Sequence, residues 1–432
     1  MRFLVTCWPF TGHVHPQLAV ATALRDRGHE VAFYTGASAA ATVEAEGFPV
    51  HRLSAVDEDE VFDCVRLLET GTRGGRMSPG LVRRIFRRWL VETIPGQLRD
   101  LQPVLAGWRP DVLVTDLSMW APILVLHETT GIPVALSSTF MGPLIPGPDA
   151  APAGFGLRPP RTLPERLVAR TLEAVVDRAG RGLRARVDEI RREHGLGPLG
   201  MSVNAWTGRL PLYLVPSLAS LDGNRTDLPP TVHYVGPLLW YPPSTAAADA
   251  WLASIPRDRP WVHVTESTLR YGDPFLLRAA VRALPGSGLR VVGTTGQHRD
   301  VASLGLGPLP DGAHLTAWAS HRSLLPLCSA VVTNGGTATV ISALVHGLPL
   351  VVAPTTWDKP DNARRLVEAG VAILVKPARC TPERLRAAVQ QLLGDPAYTR
   401  NAQALAGQLA AAPGADGAAG LLEALTTRQA VR

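Results

Sequence analysis

The chain of 432 residues is poor in cysteine, and Cys7, Cys64, Cys328 and Cys380 stand far apart without metal-ligand spacing. That excludes a disulfide scaffold or a zinc ribbon and points to buried thiols in a reducing compartment. No apolar run reaches the roughly 20 residues that span a bilayer. Residues 1–5 lead straight into a strand, with no signal-peptide pattern. A cytoplasmic protein with no transmembrane segment is the expectation. There is no basic block either: the net charge of +6 comes from scattered arginines. Nucleic acid is therefore not expected as a partner, and anionic small ligands fit the charge equally well. Finally, the turn after the first strand lacks G-x-G-x-x-G, which argues against a nicotinamide-dependent dehydrogenase.

What is present is ordinary for a folded α/β protein, with 46% apolar and 19% charged residues. The length suits two domains of about 200 residues each. The most informative stretch is 331–372. An apolar run, Ser329-Ala330-Val331-Val332, leads into Thr333-Asn334-Gly335-Gly336-Thr337-Ala338-Thr339. Val340, Ile341, Leu344 and Val345 then recur at helical spacing before Gly347 and Pro349 stop the helix. A glycine turn between a buried strand and a helix leaves free N–H groups and a positive dipole end, a seat for a diphosphate. The polar loop 355–362 follows the next strand on the same edge, where open α/β sheets bind ligands.

The first half repeats the theme. Residues 3–7 read as a strand, 8–16 as a loop, about 17–27 as a helix and 30–34 as a second strand. His13, in that loop, is a candidate general base, because imidazole is tuned to neutral pH by small perturbations. Asp116 ends the apolar run 112–115 and could orient the imidazole and stabilise its protonated form. Asp111, before the run, belongs at the opposite edge. Residues 81–90 place apolar and basic side chains on different helical faces, read as a half-buried helix rather than a membrane contact. Residues 143–164, rich in Pro and Gly, read as a mobile loop, and 165–194 as an arginine-rich surface helix. The expected division is an acceptor-side domain 1–235, a linker 236–260, a second Rossmann-like domain 261–412, and a helical tail 413–432.

Taken together, Gly12-His13-x-x-Pro16, Asp116, Val235-Gly236-Pro237-Leu238 and the segment 318–362 resemble the GT-B glycosyltransferases of family 1. The resemblance is especially to the bacterial enzymes that decorate antibiotics, macrolides and other natural products. The resemblance implies an α/β GT-B fold, with two Rossmann-like, doubly wound parallel-sheet domains facing across a cleft. It implies inverting transfer of a sugar from a UDP- or dTDP-activated donor to a lipophilic acceptor, with His13 as base and Asp116 as its partner. The sugar nucleotide is a co-substrate, and no metal or other cofactor is expected. Trp318 matches the position that stacks on the base, Ser267 a phosphate-facing hydroxyl, and Gly336 and Thr337 a diphosphate cradle. His321, Gly335 and Thr339 belong to the same donor segment. Asp358 matches the residue that binds sugar hydroxyls, and Asn362 either fixes that loop or touches ligand.

Four departures from the family pattern stand out. Asn334 replaces a diphosphate-binding histidine, Ser342 a ribose-binding glutamate and Lys359 a sugar-binding glutamine. Glu266 stands where glycine is usual, either reshaping the phosphate pocket or forming an ion pair at its rim. Lys359 either offsets the missing histidine charge or reaches an acidic or deoxygenated sugar. Phe86, Trp89, Trp120 and Phe140 are candidates for an apolar acceptor pocket, with core packing as the alternative. A non-catalytic sugar-nucleotide-binding helper of the same fold, and a two-lobed epimerase, remain alternatives. A monomer and a homodimer are both compatible.

Overall fold

The protein is described by a computed structural model over residues 1–70, 79–266, 272–296 and 299–429. Two parallel sheets organise it. The first contains β1 (Arg2–Thr6), β2 (Glu30–Thr35), β3 (Val50–Arg52), β4 (Val112–Thr115), β5 (Val134–Ser137), β6 (Leu212–Val215) and β7 (Val232–Tyr234), in the order β3-β2-β1-β4-β5-β6-β7. The second contains β8 (Trp261–Thr265), β9 (Arg290–Thr294), β10 (Ala313–Thr316), β11 (Cys328–Thr333), β12 (Leu350–Val352) and β13 (Ala372–Leu374), in the order β10-β9-β8-β11-β12-β13. Each sheet starts at its centre, winds outward one way, then returns to wind the other way. The reversal leaves a crevice beside the first strand, between β1 and β4 in one lobe and between β8 and β11 in the other.

These segments became strands because both of their faces are covered, which calls for unbroken apolar runs rather than alternation. In β1, Phe3 and Val5 pack with Leu18 and Leu24 on one face, and Leu4 packs with Trp8, Phe10 and Leu136 on the other. The first face is finished by the C-terminal helix Gly414–Gln429, through Ala418, Leu422 and Leu425. Arg27 bonds Asp416 and Glu423, and His29 bonds Glu423, along the edge of that contact. The last helix of the chain therefore belongs to the core of the first lobe.

Four local expectations change. The first helix is Thr11–Asp26 and carries Pro16 inside it, so His13 lies in a helical first turn rather than in a loop. The arginine-rich region is two helices, Leu163–Ala179 and Arg181–Glu193, and Arg191 is buried rather than on the surface. Its guanidinium donates to the carbonyls of Leu124 and Gly197 and pairs with Glu128. The amphipathic segment is a helix, Pro79–Phe86, that continues as a wider π-type turn, Arg87–Val91. The Pro/Gly-rich loop is fastened: the N–H groups of Gly154 and Gly156 donate to the two oxygens of Asp361, at 2.6 and 2.8 Å. Asp111 takes the edge expected of it, accepting from the backbone N–H of Arg2 at 2.7 Å.

Candidate active site

β1 and β4 run side by side with Thr6 opposite Thr115, and the next backbone N–H, that of Asp116, donates to the Thr6 carbonyl at 2.9 Å. Asp116 is thereby pinned at the mouth of the crevice. His13 arrives from the first turn of the helix that follows β1, and its Nδ1 is hydrogen-bonded to Asp116 Oδ2. The other carboxylate oxygen accepts from the backbone N–H and the hydroxyl of Ser118, both at 2.7 Å. Full burial alone would raise this carboxyl. The His13 ring and the two Ser118 bonds outweigh that and hold it below the usual carboxylate range. Of the two neutral imidazole tautomers, an ionised Asp116 favours the one with the proton on Nδ1 and the lone pair on Nε2. Phe10 meets the His13 ring edge-on at 5.4 Å and restricts its rotation.

His13 faces a cavity of about 560 Å³ between the lobes. Phe86, Trp89, Trp120 and Phe140 all line it, so the sequence-predicted aromatics are brought together on the His13 side. A second cavity of about 530 Å³ shares Trp120, Phe140, Leu144 and Leu183 with the first and extends the apolar space away from His13. From the other lobe come Trp318, His321, Gly336, Thr337, Thr339, Ser342, Asp358 and Lys359.

The helix Thr337–Val345 begins at the cavity wall, and its first turn carries no acidic side chain to occupy its N–H groups. The backbone turns into it at Gly335, with φ +91°, where a Cβ would lie 2.9 Å from Val352 Cγ1. Only glycine suits that position. Asp358 Oδ2 accepts from Thr337 Oγ1 and Asn362 Nδ2, both at 2.7 Å, yet burial dominates and raises its carboxyl. Asn362 also donates to the Gly335 carbonyl and is fully buried, which is the loop-fixing role. His321 is pushed down to about 3, first by burial and then by the neighbouring His263.

Several predicted donor residues are used differently. The Asn334 amide is buried behind the cavity wall and donates to the Glu266 carbonyl at 2.6 Å, so it does not face the space its usual histidine counterpart would fill. Gly335 likewise lies beneath the wall rather than on it. Glu266 caps the helix Phe275–Ala283, accepting from the N–H groups of Leu276 and Leu277. Ser342 Oγ is met by the hydroxyl of Tyr241, at 3.2 Å. Lys359 is buried, and its ammonium pairs at 2.9 Å with Glu69, a first-lobe carboxylate, rather than standing free beside the sugar position. Ser267 lies outside the described residues.

Glu69, Trp357 and Tyr241 are among the lining residues that the sequence reading did not single out. The signal for Glu69 was Lys359 itself, since a buried cation needs a carboxylate, but nothing in the chain says which one. Among the described residues, no group of three or more His, Cys, Asp or Glu side chains could hold a metal ion. No described helix is long and apolar enough to cross a membrane.

Residues 294–425 match the erythromycin biosynthesis protein CIII-like C-terminal domain. Along its whole length the chain is similar to 4'-demethylrebeccamycin synthase of Lentzea aerocolonigenes, with 35% identity over 98% of this chain and 99% of that one. It is also similar to demethyllactenocin mycarosyltransferase of Streptomyces fradiae, 27% identical over 96% and 85% of the two chains. In fold it matches the crystal structure of the kitacinnamycin glycotransferase, with TM-score 0.74, 24% identity and 98% of both chains covered. It also matches the glycosyltransferase VinC in complex with dTDP, with TM-score 0.70, 22% identity, and 99% and 100% covered. Two doubly wound lobes facing one cavity, together with a relative alike from end to end, place the chain in the GT-B family 1 of natural-product glycosyltransferases.

Proposed function

We propose that this glycosyltransferase moves a sugar, with inversion, from a dTDP- or UDP-activated donor to a hydroxyl or ring N–H of a lipophilic natural-product acceptor. The observation that carries this reading is the His13–Asp116 pair, whose carboxylate is buried and whose imidazole is half-buried. The imidazole opens onto the same cavity as the N-terminus of the helix Thr337–Val345. His13 Nε2 takes the acceptor proton while the acceptor atom bonds to the anomeric carbon. The bond from that carbon to the diphosphate oxygen breaks on the opposite face, and the diphosphate leaves with the electron pair. Asp116 stabilises the imidazolium so formed without taking its proton. General-base assistance is worth about 10²–10⁴-fold; alignment of the two substrates and neutralisation of the leaving group supply the rest.

On the donor side, the N–H groups at the start of Thr337–Val345 suit the departing diphosphate, Trp318 the base and Asp358 the sugar hydroxyls. Binding of dTDP by VinC supports the choice of nucleotide. Nothing in this scheme requires a resident metal or cofactor. An intact base and orienting carboxylate count against a non-catalytic helper. The test is mass analysis and NMR of products from a matrix of dTDP- and UDP-sugars and aromatic aglycones. A conjugate of inverted anomeric configuration is expected. A conjugate with retained configuration would contradict the single displacement.

A further inference from the structure

The loop that precedes Asp358 makes an unusual set of contacts for a donor-side element. Thr356 Oγ1, Trp357 Nε1 and Lys359 Nζ all donate to one oxygen, Glu69 Oε1, at 3.2, 3.2 and 2.9 Å. Glu69 sits near the end of the helix Glu58–Thr70 in the first lobe and is itself buried. Between those bonds Trp357 takes φ +64°, a left-handed backbone that a bulky residue adopts only when its surroundings impose it. The turn swings the indole across the cleft. Its ring lies 5.6 Å from Phe86 and 5.5 Å, edge-on, from Trp89, and it lines the cavity that His13 faces. On the far side of the same loop, Gly154 and Gly156 hold Asp361.

Resting on the transferase reading above, we propose that Trp357, although carried by the donor lobe, is a wall of the acceptor pocket. Glu69 is the positioning residue that seats it there. A flat aromatic acceptor then stacks among Trp357, Phe86 and Trp89. Because Trp357 adjoins Asp358, filling the donor site and filling the acceptor pocket favour the same loop conformation. The two substrates bind with positive coupling. A pocket completed by both lobes also exists only when the cleft is closed, so water is kept from the anomeric centre until both substrates are in place.

The test uses the full chain and two probes: 4-methylumbelliferone, a flat aromatic phenol followed by its fluorescence, and thymidine diphosphate, followed by calorimetry. In the parent protein, saturating thymidine diphosphate should tighten 4-methylumbelliferone binding by about fivefold or more. Trp357→Gly suits the backbone angle, which offsets part of the packing that the indole gives up. It should weaken the phenol by about tenfold and abolish the coupling, while thymidine diphosphate affinity stays within about twofold. Trp357→Phe, keeping a ring at the wall, should restore most of the phenol affinity. Glu69→Gln should reduce the coupling more than either separate affinity. Absence of saturable phenol binding to the parent overturns the proposal, as does unchanged phenol affinity in Trp357→Gly. An equal loss of both ligands also overturns it, because Trp357 would then only hold the donor loop. Sugar transfer assayed on the same samples keeps the readings apart: a parent that transfers no sugar defeats the transferase mechanism, whereas these affinities judge Trp357 alone.

Discussion

Asp116 is fully buried and accepts from the His13 ring, the Ser118 N–H and the Ser118 hydroxyl. Such a carboxylate is made for a fixed charge beside a base. In Asp116→Asn the side chain keeps its shape and loses the charge that stabilises a protonated ring. We expect kcat to fall by about 10²–10⁴-fold with thymidine diphosphate affinity unchanged by calorimetry; a loss below tenfold would remove Asp116 from its role. Both members of this pair were legible in the sequence: Asp116 directly ends an apolar run and His13 lies just beyond another, and both run ends must lie at the ligand edge of a parallel sheet. Glu69 was not. It lies inside an amphipathic helix with no motif around it, and its partner Lys359 stands 290 positions away. The same holds for Asn334, whose amide could have faced a phosphate or the protein; only the fold shows it turned to the Glu266 carbonyl.

Elements were easier to recognise than to delimit. The first helix was expected to begin at about residue 17, after a loop holding His13. Instead it starts at Thr11 and tolerates Pro16, which brings no N–H to the Gly12 carbonyl. The 143–164 segment has the composition of a loose loop. Composition reports the lack of a core face, however, and not whether another element offers partners. Asp361, at the start of the helix Lys359–Glu368, offers two carboxylate oxygens to the N–H groups of Gly154 and Gly156. Gly156 has φ +64°, and a Cβ there would sit 3.0 Å from the Pro360 carbonyl oxygen. Gly156→Ala should therefore cost about 1–2 kcal/mol, measured by urea denaturation, and should raise acceptor KM more than donor KM. A stability equal to that of the parent would show that the loop does not need this docking.

At the scale of the molecule, two Rossmann-like halves were visible as two successions of apolar runs and glycine turns. Their facing across a cleft was expected as well, but the contacts that join them were not legible, because pairs such as Asp222 with Arg365 link residues that no local pattern connects. Three histidines also sit in poorly solvated surroundings: His263 is fully buried inside the second sheet, and His15 and His321 stand half-buried at the cavity. His15 and His263 are each pushed down to about 4 and His321 to about 3, in every case chiefly by burial. These rings stay neutral in the folded protein, whereas in the unfolded chain they protonate near pH 6.5. Between about pH 6.5 and 4 the unfolded state binds more protons, so the stability these rings allow is complete above pH 6.5 and drains away as pH falls through that window. The melting temperature should drop steadily from pH 7 to pH 4.5, and His263→Asn should flatten part of the slope. A melting temperature constant over that range would mean that these rings are not buried in the working protein.

The central claim is that His13 takes the acceptor's proton. The most direct measurement is kcat for sugar transfer by His13→Ala beside the parent, with thymidine diphosphate affinity followed in both. The account predicts a fall in kcat of about 10²–10⁴-fold at unchanged nucleotide affinity. Transfer by His13→Ala at the parent rate would contradict it.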